Sequence, residues 1–427
     1  MYKKLITCLC LSIALCACHK KEILKGKRDS IVGVTYTEMD VNNDESHIEL
    51  RTPVNSNELI ELFDNHQHLS MNHSFSSHPK IKWHKRLGKK PIVSNILVFD
   101  DKLYMVNGNG ELCCLEKQTG RLLWKTKVAT QPNSGRFSGG ISANKNIVYL
   151  ATNMSEVIAF DTKTRKQLWK KNLDGMVKGV PVFANGKLIV NTSSNKTYAL
   201  NASDGSVIWG YETSPAEIAG TVLGTPAVYK DSVICVYSNG DVVSLKLSDG
   251  SVNWSDVLIP NSIVQSGSTA VFHISASPII IGDKVLVINS FSSMTMFDAQ
   301  TGLRLWSRDF GTLLHPAIVD DNWMFVLAGN ELLCVSLKTG VLKWKSKSLH
   351  EMLTKNKELK KYPWYGPLVV NNQLWIFGEC ASILKFDVST GTYLGNIYIH
   401  HVRHRDAPVI VGNTMYATAY GKVYAIS

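Results

Sequence analysis

The chain has 427 residues, of which 44% are hydrophobic and 19% are charged, and its formal net charge at pH 7 is +11. This composition is typical of a folded globular protein, and it excludes both a wholly disordered chain and a polytopic membrane protein. The positive charge alone is compatible with a nucleic acid or with an anionic membrane surface as a partner.

The N-terminal segment has the pattern of an export signal. Lys3 and Lys4 precede an apolar run from Leu5 to Leu15, which is shorter than the roughly 20 residues that a membrane-spanning helix needs. The pattern therefore predicts a cleaved signal over residues 1–17. The sequence Leu15-Cys16-Ala17-Cys18 resembles the bacterial lipobox, which implies that Cys18 carries lipid. An ordinary secretory signal is the alternative.

The next stretch, residues 18–79, is predicted to be a lipid-anchored tether. It begins with a basic cluster and continues with many Asn, Ser, His and Asp residues but no sustained periodicity, which favours an extended linker with a few ordered patches. The basic cluster favours anionic head groups, although a solvated linker fits it equally well. Export, together with the lack of an aromatic and basic binding module, argues against nucleic acid as a partner.

From residue 80 onward one motif repeats. A Trp recurs at intervals of 38 to 52 residues, each time shortly after a turn that usually contains Gly. The repeats end at Trp124, Trp169, Trp209, Trp254, Trp306 and Trp344, and a seventh copy has Gly395 at the Trp position. This spacing is that of a four-stranded propeller blade.

The local sequence of each repeat indicates how a blade forms. An alternating run such as Val157–Phe160 predicts one strand, and a run such as Leu122–Trp124 predicts the next. Between the two, Asp or Ser followed by Thr or Asp and then Gly favours a tight turn, in which Gly takes the positive φ. A buried Trp in each blade is expected to pack against the neighbouring blade and join the two.

The two ends of the repeat region complement one another. The C-terminal stretch from Ala407 to Ile426 provides three strands, and Lys80–Lys85 has a Trp but no strands before it. The N-terminal strand is therefore predicted to complete the last blade and close the ring. The predicted fold is an all-β, eight-bladed β-propeller over residues 80–427.

The cysteine and histidine patterns favour structural roles. Cys113 and Cys114 lie in the middle of a predicted strand, where neighbouring side chains point to opposite faces, so a paired contact with a cofactor is not favoured. His400, His401 and His404 are interpreted as part of a basic loop, because the i, i+4 pair would need a helix to bind a metal. The sequence predicts no catalytic residue, cofactor or metal.

The repeat A-x-D-x-x-T-G-x-x-x-W resembles quinoprotein-type (PQQ-like) propeller repeats. With the lipobox and eight blades, the chain resembles the B lipoprotein family of the outer-membrane β-barrel assembly (Bam) machinery. The resemblance implies a non-catalytic scaffold, anchored by lipid on the periplasmic face of the cell outer membrane. Its implied partners are the central barrel-inserting subunit and nascent outer-membrane proteins.

The same resemblance places the partner contacts in two neighbouring inter-blade loops. By alignment, the counterparts here are Ile218, Ala219, Gly220 and Thr221 in the first loop, and His273 and Ser275 in the second. The family has an Arg in the first loop and acidic residues in the second. This chain departs from that pattern, so the resemblance carries over the location of the contacts, with Ile218 as the best-matched apolar residue.

A third candidate contact is the long loop from Lys345 to Gly366. Leu349, Met352 and Leu353 have the spacing of a short amphipathic helix. Lys357, Lys360 and Lys361, together with the aromatic pair Trp364-Tyr365, are predicted to bind a partner, because long loops and exposed aromatic residues are frequent in interfaces. In the alternative interpretation, Trp364 packs beneath the loop.

Two other functions remain open. A PQQ-dependent periplasmic dehydrogenase can use this fold, but it would need carboxylates, an Asn and an Arg at the central channel, and the predicted inner strands are mostly apolar. The second is a lipoprotein that binds a peptide or a cell-wall ligand.

Overall fold

The computed structural model describes residues 47–53, 56–60, 71–128, 139–177, 179–214, 224–258, 276–289, 293–309, 317–318, 322–329, 331–402 and 407–427. In this part of the chain the strands form eight sheets. Each sheet contains one antiparallel blade of four strands, counted from the inner strand to the outer strand, and the sheet of blade 7 has a fifth strand paired in parallel at its inner edge. The eight-bladed, all-β architecture predicted from the repeats is confirmed.

The strand bounds follow the repeat. Blade 1 contains β3 Leu97–Phe99, β4 Lys102–Val106, β5 Glu111–Glu116 and β6 Leu122–Lys127, and blade 2 contains β7 Ile141–Asn144, β8 Ile147–Ala151, β9 Glu156–Asp161 and β10 Lys166–Asn172. Blade 3 contains β11 Val182–Ala184, β12 Lys187–Thr192, β13 Lys196–Asn201 and β14 Val207–Glu212, and blade 4 contains β15 Ala227–Tyr229, β16 Ser232–Val236, β17 Asp241–Lys246 and β18 Val252–Val257. Blade 5 contains β19 Ile279–Ile281, β20 Lys284–Ile288, β21 Ser293–Asp298 and β22 Arg304–Asp309, and blade 6 contains β23 Ala317–Ile318, β24 Trp323–Ala328, β25 Glu331–Ser336 and β26 Leu342–Lys345. Blade 7 contains β27 Trp364–Val370, β28 Gln373–Gly378, β29 Ser382–Asp387 and β30 Tyr393–Tyr398. Blade 8 contains β31 Val409–Val411, β32 Thr414–Ala419 and β33 Lys422–Ile426, and its outer strand is β2 Ile81–Arg86. Two helices, α1 Lys347–Lys355 and α2 Lys357–Lys360, and a two-residue strand, β1 Asn72–His73, complete the described elements.

The hydrophobic core lies between the blades. Alternate side chains of the middle strands point into the two neighbouring junctions, so each of eight buried clusters joins one blade to the next. Cys113 packs in the cluster between blades 8 and 1, whereas Cys114 packs in the cluster between blades 1 and 2. The predicted opposite orientation of these two side chains is confirmed, and the eight clusters close the ring.

The turn between the third and fourth strands, which we call the outer turn, forms as its sequence predicts. In blade 5 a carboxylate oxygen of Asp298 accepts hydrogen bonds from the backbone N–H groups of Gln300 (3.1 Å) and Thr301 (2.7 Å). Gly302 follows with a φ of 74°, and the other glycines at this position of an outer turn have φ values between 67 and 77°. A Cβ at Gly302 would lie 2.6 Å from the Trp254 ring. Glycine is therefore needed both for the backbone conformation and for the close approach of the preceding blade.

At six of the eight junctions the recurring Trp joins one blade to the next, as predicted. Its ring lies on the outer-turn Gly of the next blade, and its indole N–H donates to a backbone carbonyl in the same turn. The donors and acceptors are Trp83 to Lys117 (3.2 Å), Trp169 to Ala202 (3.1 Å), Trp209 to Leu247 (3.1 Å), Trp254 to Ala299 (2.9 Å), Trp306 to Leu337 (2.9 Å) and Trp344 to Val388 (3.1 Å).

The junction between blades 1 and 2 departs from this arrangement. The outer turn of blade 2 has Arg165 at the Gly position, with a φ of 58°. The Arg165 guanidinium lies 5.9 Å from the centre of the Trp124 ring, and Trp124 is only half-buried. A side chain at the turn therefore replaces the close contact between ring and glycine with a cation–π contact.

Ring closure follows the prediction. Strand β2 pairs antiparallel with β33, and Lys80 and Ser427 exchange backbone hydrogen bonds of 2.9 and 3.0 Å. Because β2 supplies the outer strand of blade 8, no hairpin joins that strand to β33. A Trp at position 395 in blade 7 would therefore have no outer-turn glycine to pack on, which explains why Gly395 stands there.

Candidate functional site: an inter-blade loop face

The direction of the strands divides the ring into two faces. Outer strands lead to the next inner strand on one side, which we call the loop face, and it carries the connection that holds α1 and α2. The turns between first and second strands and the outer turns lie on the opposite side, which we call the turn face. Of the three predicted partner contacts, the one with the two helices lies at this face; the other two fall in the connections from β14 to β15 and from β18 to β19, of which only the ends are described.

Helix α1 forms at the position that the apolar spacing predicts. Ser346 caps its first turn, because the Ser346 hydroxyl oxygen accepts from the backbone N–H of Leu349 at 3.3 Å. The same hydroxyl donates to the carbonyl oxygen of Gly391 in blade 7 at 2.5 Å. Leu349 and Leu353 are buried in the cluster between blades 6 and 7, and Met352 packs partly buried beside them. The predicted amphipathic helix is confirmed.

A single asparagine joins the two helices. The Asn356 backbone N–H donates to Met352 O at the end of α1, while its side-chain oxygen accepts from the backbone N–H groups of Glu358 (3.0 Å) and Leu359 (3.2 Å) at the start of α2. Helix α2 is thereby held at a fixed place on the loop face, with Leu359 partly buried against the same cluster.

The aromatic pair lies in the inner strand. Trp364 and Tyr365 are the first residues of β27 and pair with Gly378 and Phe377 of β28, so the loop is shorter than the sequence predicts. Trp364 is buried, and its indole N–H donates to Leu359 O at 3.3 Å. This burial agrees with the alternative interpretation, in which Trp364 supports the helices from beneath. Tyr365 is half-buried.

The three predicted lysines are exposed on or next to α2. Lys357 and Lys360 belong to α2, and Lys361 follows it directly. The Lys361 ammonium lies 2.6 Å from the Glu358 carboxylate, and the hydrogen bond from this partner raises the pKa of Lys361. Three cations against one carboxylate in this short segment give the loop face a local positive potential that an acidic partner surface could complement.

The other two predicted loops are described only at their bases. Ile218, Ala219, Gly220, Thr221, His273 and Ser275 lie outside the described residues. At the base of the first loop, Ser214 O accepts from the side chains of Asn195 (3.0 Å) and Asn239 (3.1 Å). At its other end, the Thr225 backbone N–H donates to the Ser277 hydroxyl oxygen at 2.9 Å. Because Ser277 follows the second loop, this hydrogen bond joins the bases of the two loops, a contact that sequence reasoning did not find.

Comparison with known proteins places this architecture in a family. The sequence model of the family described as outer membrane protein assembly factor BamB matches residues 79–135 and 126–346. The chain belongs to this family. The BamB protein of Nitrosomonas eutropha is 25% identical over 246 residues, which cover 57% of this chain and 58% of that protein. The chain thus aligns with less than two thirds of that relative's length.

Solved structures share the fold. The crystal structure of BamB from Moraxella catarrhalis has a TM-score of 0.65 at 15% identity, and the match covers 82% of this chain and 99% of that one. A quinohemoprotein alcohol dehydrogenase from Pseudomonas putida has a TM-score of 0.64 at 12% identity, covering 87% and 80%. At these identities, both comparisons show the propeller fold alone.

In the described part of this BamB-family chain, the cysteines and histidines do not come together in a metal-binding site. Cys113 and Cys114 are free thiols, and burial raises the pKa of Cys113 to about 12 and that of Cys114 to about 11. No group of three or more His, Cys, Asp or Glu residues that could hold a metal occurs among the described residues. His404, like Cys18 and the whole predicted signal 1–17, lies outside them.

Proposed function

We propose that the chain is a non-catalytic scaffold lipoprotein of the outer-membrane β-barrel assembly machinery. In this role it binds the central barrel-inserting subunit and aids the folding and insertion of nascent outer-membrane proteins. The observation that supports it most directly is the family match over residues 79–346, which spans most of the propeller.

The proposed partner-binding surface is the loop face. It includes the first loop with Ile218, Ala219, Gly220 and Thr221, the second loop with His273 and Ser275, and the α1–α2 segment with Lys357, Lys360, Lys361 and Tyr365. Trp364 supports this surface from beneath, through Leu359. Both helices are fixed by Ser346, Asn356 and the buried Leu349 and Leu353, so the lysines are presented on a rigid element, which lowers the entropic cost of binding.

The proposed attachment is lipid on Cys18, at the periplasmic face of the outer membrane. Several acyl chains hold a protein on a bilayer almost permanently, because each buried CH₂ contributes about 0.8 kcal/mol. Helices long and apolar enough to cross a bilayer are missing from the described residues. The described propeller does not depend on the lipid for its core, so the anchor serves to hold the scaffold near its partner.

A charge-reversal experiment tests the loop face. The triple variant Lys357→Glu, Lys360→Glu, Lys361→Glu is expected to retain several-fold less of the barrel-inserting subunit in a pull-down at low salt, because it replaces three cations with anions on the proposed contact surface. A matched variant reverses three exposed lysines at outer turns on the turn face, Lys163, Lys246 and Lys338. This control changes the net charge equally and is expected to bind normally. Equal recovery of both variants would contradict the proposal.

The dehydrogenase alternative rests on the fold shared with the Pseudomonas putida enzyme. Titration of the purified protein with pyrroloquinoline quinone and Ca²⁺ distinguishes it from a scaffold. The scaffold proposal expects no saturable binding, and tight stoichiometric binding would favour the enzyme instead. A bound peptide or cell-wall fragment recovered with the purified protein would favour the third alternative.

A further inference from the structure

The junction between blades 7 and 8 is built differently from those that a Trp joins. Gly395 of β30 stands at the Trp position, and a Cβ placed on Gly395 would have no neighbouring atom within 4 Å. The outer side of this junction therefore lacks the indole ring that fills the corresponding space at the junctions with a Trp. The neighbouring Leu394 and Tyr398 are exposed.

The chain that precedes the closing strand reaches this junction from the central channel. Strand β1 pairs in parallel with β27, with Asn72 opposite Val369 and His73 opposite Val370. The other edge of β27 is already paired with β28, so β1 occupies the edge that faces the channel. Because β2 is the outermost strand of blade 8, residues 74–80 must cross the turn face from the inner edge of the ring to its outer edge.

Hydrogen bonds of Asn371 and Asn72 fix the start of this crossing. The Asn371 backbone N–H donates to His73 O at 2.8 Å. The Asn371 side chain then binds both backbone groups of Phe75, accepting from its N–H at 3.0 Å and donating to its carbonyl oxygen at 2.6 Å. Asn72 adds side-chain bonds to the Asn372 side-chain oxygen (2.6 Å) and to Arg51 O (2.8 Å).

The Phe75 side chain contributes the apolar contact. Its ring is buried and packs edge-on against Trp375 of blade 7, with 5.8 Å between the ring centres and 83° between the ring planes. The cluster that contains Phe75 also includes Ile410 and Met415 of blade 8. Phe75 is therefore an aromatic residue from outside both blades that packs in the core joining them.

Residues that precede β1 also form hydrogen bonds along the inner edge of the ring. Leu59 exchanges two backbone hydrogen bonds of 2.7 Å with Val98 in the inner strand of blade 1, and Ile60 O accepts from the Ala143 N–H in blade 2 at 2.8 Å. The Gly412 N–H of blade 8 donates to Ser56 O. The described part of the segment predicted to be a tether thus contacts the inner strands or first turns of blades 7, 8, 1 and 2.

We propose that Asn72–Phe75 is a latch that joins blade 7 to blade 8 and takes the place of the Trp that this junction lacks. Ring closure then depends on two connections from the N-terminal side, namely strand β2 at the outer edge and the latch at the inner edge. When the latch is released, the junction between blades 7 and 8 opens first, while the Trp-joined blades stay closed. The N-terminal chain thereby controls the least reinforced junction of the ring.

Hydrogen exchange measured by mass spectrometry on the full chain tests the latch. Phe75→Ala is expected to speed exchange about tenfold or more in peptides from β27, β28, β31 and β32, because local opening no longer disrupts a buried aromatic contact. Exchange in peptides from blades 2 to 4 is expected to stay as in the parent protein. Asn72→Ala, which removes three side-chain hydrogen bonds but leaves the Phe75 ring in place, is expected to act in the same direction and provides the measurement if Phe75→Ala does not fold.

Phe160→Ala is the matched control. Phe160 is buried like Phe75, but it packs in the cluster between blades 1 and 2. This variant is expected to speed exchange in blades 1 and 2 and to leave blades 7 and 8 unchanged. The proposal is overturned if both latch variants leave blades 7 and 8 as slow as in the parent protein. Acceleration spread evenly over all blades would overturn it equally, because it would show that the ring opens as a whole.

Discussion

The Trp contacts between blades predict a graded loss of stability. In Trp209→Ala, the chain loses a ring that is 7% exposed, its packing against Gly250 and Leu245, and the hydrogen bond from the indole N–H to Leu247 O. Burial of this kind contributes about 3–5 kcal/mol to the free energy of unfolding, including the cavity left behind. Trp124 is half-buried beneath Arg165, so Trp124→Ala is expected to cost less, about 1–2 kcal/mol.

Urea unfolding followed by circular dichroism measures both variants against the parent protein. The m-value, which is the slope of the unfolding free energy against urea concentration, should be the same in all three proteins, so that a shift of the urea midpoint reports a change in stability. Equal destabilisation by the two substitutions would refute the reasoning, because the close approach of Trp to glycine would then contribute nothing beyond the presence of a ring. A smaller effect of Trp209→Ala than of Trp124→Ala would refute it more strongly.

Two further predictions concern the outer turns and the anchor. In the outer turns of blades 2 to 5, hydrogen bonds from Thr or Ser residues lower the pKa of Asp161, Asp204, Asp249 and Asp298. The unfolded chain therefore binds more protons than the folded chain, so the urea midpoint is expected to fall as the pH drops below about 4. Asp298→Asn should make this fall shallower, and an unchanged pH dependence would contradict the role of the turn. Cys18→Ala is expected to move the protein from the membrane fraction to the soluble fraction after cell lysis; retention in the membrane would show that another segment anchors the chain.

The propeller could be predicted from the sequence because its determinants are local and repeated. A Trp, a turn glycine and alternating apolar residues recur in each blade, and ring closure followed from the unmatched strand at Lys80–Lys85. Gly395 was also consistent with ring closure: the Trp is missing in blade 7, whose neighbour, blade 8, has no turn between its third and fourth strands. The repeat pattern did not reveal that Arg165, which stands at the position of the usual glycine, would leave Trp124 half-buried.

The inner edge of the ring could not be predicted, because its contacts depend on tertiary structure. Strand β1 has two residues, too few for any period, and its partner β27 lies almost 300 positions later in the chain. Residues 47–53, 56–60 and 71–79 therefore had the composition of a tether, although contacts from these described parts reach four blades. The same limit applies to Trp364, whose aromatic character suggested an interface, whereas Leu359, Leu349 and β28 enclose it.

We propose that this chain acts as a scaffold for the machinery that inserts β-barrels into the outer membrane. Affinity purification of the tagged, full-length protein from a mild detergent extract of the native cells tests it most directly. The account predicts that the central barrel-inserting subunit is recovered in about a one-to-one ratio with the tagged chain. Recovery of the chain without that subunit, or with a tightly bound quinone cofactor in its place, would contradict it.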